Sequence, residues 1–129
     1  MSRLIFALMI SMLTIFTLGC PSQNDGELSL DQKLEAAKKI SDPTARNESL
    51  KEVSLAAAAA ADDGVVIDAL NEIQDVELRN ATAETAAKVL ADKDDGDAAL
   101  EVAELITDED QKNEVLKSLA ESNPIPETE

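Results

Sequence analysis

The sequence has no histidine, tryptophan or tyrosine and only one cysteine, Cys20. Its two phenylalanines and three methionines (Phe6, Phe16, Met1, Met9, Met12) all precede that cysteine. Each absence removes a class of chemistry. Nucleophilic catalysis needs a histidine or an activated lysine beside the attacking group, so hydrolytic triads are excluded. Zinc sites are built from His and Cys clusters, which this chain cannot supply. A carboxylate pair could cleave a glycoside, but no aromatic platform exists to stack a sugar. Catalysis is therefore not expected, and no cofactor is implied because no glycine-rich phosphate loop is present.

Basic residues are also scarce. Beyond Cys20 there are ten Lys and Arg against 27 Asp and Glu, a net −17. Such a surface repels phosphates and gains nothing from counterion release, so nucleic acid is excluded as a partner. Anionic lipid headgroups are repelled likewise, leaving the N-terminus as the only expected route to a membrane.

That N-terminus differs from everything after it. Met1-Ser2-Arg3 is a short positive start, and Leu4 to Leu18 carries no charge. A helix of this stretch would reach roughly 22 Å, short of the ~30 Å hydrocarbon core, so it reads as a signal-peptide h-region and not as a permanent span. Phe16-Thr17-Leu18-Gly19-Cys20 closes it, and this segment resembles the lipobox of bacterial lipoproteins. The family pattern usually has Leu where Thr17 stands, with Leu18 one step later here. The resemblance implies cleavage between Gly19 and Cys20, transfer of diacylglycerol to the Cys20 thiol, and often acylation, commonly as palmitate, of the new amino group. Export to the cell envelope follows, with a lipid anchor on the inner or the outer membrane. One acyl chain holds reversibly and two or more hold firmly.

The expected organisation is a signal peptide over 1–19, a lipidated cysteine and flexible linker over 20–29, a helical domain over 30–122, and a disordered acidic tail over 123–129. The domain repeats itself with a 33-residue period. Ile40, Ile73 and Ile106 are in step, as are Asp42, Asp75 and Asp108, then Arg46, Arg79 and Lys112, then Asn47, Asn80 and Asn113. Leu34, Ile67 and Leu100 match upstream, with Ala37, Leu70 and Ala103; Leu50, Ala83 and Leu116 match downstream, with Val53, Ala86 and Leu119. Within each copy the apolar residues recur at helical spacing, giving helices near 29–40, 43–61, 66–73, 76–91, 97–106 and 109–121. The fold class is all-α, three stacked helical hairpins following an N-terminal signal helix. Across residues 30–122 the chain resembles tetratricopeptide and related α-solenoid repeats, through its period and the Gly96-Asp97-x-x-Leu100 turn, although the Trp, Tyr and Pro of the tetratricopeptide pattern are missing.

Local roles can be assigned from residue type. Asp42, followed by Pro43, fits an N-cap and first helical position, and Asp75 and Asp108 can cap in the same way. Asp42 and Arg46 lie one turn apart, as do Asp75 and Arg79, so each pair can bridge at the helix start or link neighbouring repeats. Gly64 and Gly96 are expected to supply positive φ after helix ends. Their separation falls one short of the repeat period, which places one loop out of step. The alanine run 56–61 is expected to be a buried helix end. The acidic segment Asp92 to Asp97 fails the calcium-loop pattern, because Gly96 as sixth residue puts Ala91, Lys93 and Val102 at ligand positions.

Two functional expectations remain. The first is a membrane-tethered helical-repeat module that binds a protein or peptide, with a basic partner favoured by charge and self-association left open. The second is an acidic surface lipoprotein that buffers cations weakly and has no specific partner.

Overall fold

A computed structural model describes residues 26–122. The signal segment, Gly19, Cys20 and the acidic tail lie outside the described residues. Six helices follow one another: α1 Leu30–Lys38, α2 Pro43–Ala59, α3 Asp63–Glu72, α4 Val76–Asp92, α5 Gly96–Glu104 and α6 Glu109–Ser122. Among the described residues there is no strand, and no helix is long and apolar enough to cross a membrane.

The helix starts are set by side chains three positions from the amides they satisfy. Ser29 and Gln32 form a reciprocal capping box on α1, at 3.2 and 3.0 Å. Asp42 Oδ1 accepts from the Ala45 amide at 2.8 Å, Asp75 Oδ1 from Leu78 at 3.0 Å and Asp108 Oδ1 from Gln111 at 2.9 Å. Asp62 and Asp95 cap α3 and α5 in the same manner. This is why α3 begins at Asp63, one turn earlier than the apolar spacing suggests: the cap, and not the first buried valine, sets the boundary.

The links into α3 and α5 correct two expectations. The residues with positive φ there are Ala61 (56°) and Asp94 (62°), not Gly64 or Gly96. Around each, the chain makes the paired hydrogen bonds of a Schellman end. Asp62 N donates to Ala57 O at 2.9 Å and Ala61 N to Ala58 O at 3.0 Å; Asp95 N donates to Leu90 O and Asp94 N to Ala91 O, both at 3.0 Å. Ala61 and Asp94 are one full period apart, as are the caps Asp62 and Asp95, so neither loop is out of step. The glycines fall inside the first turns of α3 and α5 instead.

Packing follows chain order. α2 contacts α1, α3 and α4; α4 contacts α2, α3, α5 and α6; α1 also meets α3, and α5 meets α3 and α6. No described helix touches one more than two places away. The core is aliphatic throughout, made of Leu, Ile, Val and Ala. The long helices pack with small residues in the core: Ala57 and Ala58 on α2 and Ala83, Ala86 and Ala87 on α4 are fully buried. Of the alanine run, only Ala57 and Ala58 are covered, while Ala56, Ala59, Ala60 and Ala61 are exposed, because a helix buries one face and the run circles all of it.

Candidate functional site

The repeated asparagines join one hairpin to the next. Asn47, buried on α2, accepts from the Gln74 amide at 3.2 Å. One period on, Asn80 on α4 accepts from the Thr107 amide at 3.1 Å, and its Nδ2 donates to Thr107 Oγ1 at 3.2 Å. Gln74 and Thr107 immediately precede the caps Asp75 and Asp108. Each asparagine thus satisfies a turn amide that the following helix leaves without a partner.

The residues beside the asparagines take different roles in each copy. Arg46 turns away from Asp42: it donates to the Ile40 carbonyl at 3.4 Å and to Gln74 Oε1 at 3.1 Å, linking neighbouring turns. Arg79 Nε is buried with no partner among the described residues, and Lys112 lies 3.8 Å from Glu104. No bridge joins Asp42 to Arg46 or Asp75 to Arg79 among the described residues: Arg46 is held by the Ile40 carbonyl and Gln74, and each Asp caps its own helix. Between the second and third hairpins, Glu84 accepts from Gln111 Nε2 at 2.8 Å and from Lys88 Nζ at 2.6 Å. The Lys88 and Gln111 hydrogen bonds hold the Glu84 carboxyl below its ordinary value, partly opposed by burial and aided by the Lys88 charge.

At the third hairpin the same columns are uncovered. Leu34 is 5% exposed and Ile67 half-buried, but Leu100 is 48% exposed. Asn47 and Asn80 are buried, whereas Asn113 is exposed. Leu50 and Ala83 are fully buried, Leu116 only half so; Ser54 and Ala87 are fully buried, Ala120 exposed. Three of these positions, Leu100, Leu116 and Ala120, line a cleft of about 480 Å³ together with the apolar Ala99 and Leu119 and the acidic Asp92, Asp94 and Asp97. This apolar and acidic lining suits an apolar side chain flanked by basic groups. Charge also accumulates toward this end. Residues 26–59 carry five basic and six acidic side chains, and residues 92–122 carry three and eleven. Among the described residues, no group of three or more acidic, His or Cys side chains is placed to share a metal ion.

The asparagine column is visible in the sequence, but its partner is not. A backbone amide donates to each carboxamide oxygen, so the partner positions hold unrelated residues, Gln74 and Thr107. No family model, curated protein or solved structure matches this chain.

Proposed function

We propose that this chain is an exported lipoprotein, anchored through Cys20, whose helical hairpins form a short tetratricopeptide-like α-solenoid that binds a protein or peptide. The reading assigns it binding and no catalysis. Its anchor rests on the lipobox resemblance, and its solenoid character on the 33-residue period together with packing confined to near neighbours. The observation that carries the binding role is the end surface of the third hairpin. Leu100, Asn113, Leu116 and Ala120 present there the residues that the first two hairpins use to hold a neighbour. The acidic lining favours a partner with basic character.

Two experiments test this. Intact-mass measurement of the protein from native membranes should find a chain beginning at Cys20 with added acyl mass; another start, or no acyl mass, removes the anchor. A photo-crosslinking residue at Ala120 should capture protein in intact envelopes, and the same residue at exposed Asp68 on α3 should not. Equal capture at both positions, or none at Ala120, overturns the binding surface.

A further inference from the structure

We propose that the surface left open by the third hairpin receives the first hairpin of a second copy, so that the protein stacks head to tail. This rests on the interaction-module reading and names its partner.

Each junction inside the molecule has two halves. One half is the surface represented by Leu34, Asn47 and Leu50, or by Ile67, Asn80 and Ala83. The other is the leading surface of the next hairpin, where Ala69, Val102, Ile73 and Ile106 are buried to 1% exposure or less. The first hairpin carries that leading surface with no further helix against it among the described residues: Ala36 is exposed and Ile40 only half-buried. The donor half is also present. Ser41 stands one period before Gln74 and two before Thr107, and its amide is the counterpart of the two that donate to Asn47 and Asn80. Ser41 is exposed, and its amide has no acceptor among the described residues. Among the described residues there is therefore one unfilled acceptor half, centred on Asn113, and one unfilled donor half, centred on Ser41.

Charge selects among the ways two copies could meet. Apposing two third hairpins would bring together two surfaces with eleven acidic side chains each against three basic. Apposing two first hairpins would leave both Ser41 amides without an asparagine. Head to tail, the nearly balanced first hairpin meets the acidic third one. At the position where the later hairpins have Val66 and Ala99, the first has Lys33, which pairs with exposed Glu27 at 3.1 Å within the chain and so makes this edge charged and not apolar. A contact of this kind is heterologous, so every added copy leaves a fresh half at each end and association does not stop at a dimer. Copies tethered to one membrane would share a surface and meet at raised effective concentration.

The test uses the full chain in detergent and two surface variants, Ile40→Glu on the leading face and Leu100→Glu on the trailing face, each first shown by circular dichroism to keep the wild-type helix content. Sedimentation of the wild type from micromolar to millimolar concentration should give a mass that rises past the dimer, and rises further in high salt, which screens the repulsion between acidic copies. Each variant alone should associate at least about tenfold more weakly. Mixed in equal amounts, the two should form a 1:1 pair and nothing larger, because each supplies the half that the other has lost. A wild type that stays monomeric, a single variant that associates as the wild type does, or a mixture that forms no pair overturns the proposal. If sedimentation fails while Ala120 still captures a different protein in the envelope, the interaction module stands and the second copy falls. If neither experiment gives a contact, both readings fall.

Discussion

A single asparagine column shows how one residue type takes two energetic roles. Asn80 holds the Thr107 amide in a part-buried turn, so Asn80→Ala leaves that donor unmet and is expected to cost about 1–3 kcal/mol. Asn113→Ala deletes the same group from an exposed position and is expected to stay within about 0.5 kcal/mol. Urea unfolding of both variants checks this, and equal losses would contradict the role given to the junction. Ser54 presents the reverse case. Its hydroxyl is fully buried without a partner among the described residues, in the register that Ala87 occupies one repeat later. Ser54→Ala is expected to raise stability by up to about 1 kcal/mol, through lost desolvation cost and better helix propensity; a clear loss would mean that the hydroxyl is satisfied after all. Glu84 adds a pH dependence. Its carboxyl is held below the ordinary value, so its stabilisation is present above the unfolded pKa and disappears as pH falls through the folded one. Glu84→Gln should therefore cost under about 1 kcal/mol at neutral pH, as partly exposed pairs do, and nothing once both states are protonated. A deficit of equal size at neutral and strongly acidic pH would refute that assignment.

At the scale of elements, helix boundaries were legible wherever the signal is local. An aspartate reaches an amide three positions away, so residue type and position suffice to place α2, α4 and α6. Glycine misled, because its presence near a turn says nothing about which residue bears the positive φ. The Schellman geometry puts that burden on Ala61, while Gly64 sits in a helical first turn. Exchanging the two should help at both places. Ala61→Gly relieves an unfavourable left-handed alanine, and Gly64→Ala removes excess chain entropy where an added Cβ meets only Asp62 Oδ1 at 3.7 Å. Each is expected to add about 0.5–1 kcal/mol, read as a higher thermal midpoint. A fall on Ala61→Gly would show that the strain assigned to this turn is not there.

For the molecule as a whole, a formal charge of −16 over 129 residues opposes compaction. The pairs Lys33–Glu27, Lys51–Glu48 and Lys117–Glu121 sit at the surface, and pairs of that kind offset little of it. Added salt should therefore raise the thermal midpoint of dilute protein, since screening of general repulsion outweighs the loss of a few exposed pairs. A midpoint that falls steadily with salt would show that specific pairs dominate. Salt acts in the same direction on the proposed stacking, because it screens the repulsion between two acidic copies, so the two responses are separated by repeating the titration at low and high protein concentration.

The sequence by itself determined the helical class, the number of helices among the described residues, the aspartate caps of α2, α4 and α6, and the 33-residue period. All of these depend on residues within a few positions of one another, or on a period that can be read without coordinates. It also carried the whole case for export and lipidation, which rests on the chemistry of the first twenty positions. What only the tertiary structure decided is which members of a repeated column are covered. Leu34 and Leu100 are the same residue in the same register, and one is buried while the other is half exposed. Burial belongs to the neighbour that packs against a residue, not to the residue itself. For the same reason, equivalent positions make a core in the first two hairpins and an open surface in the third.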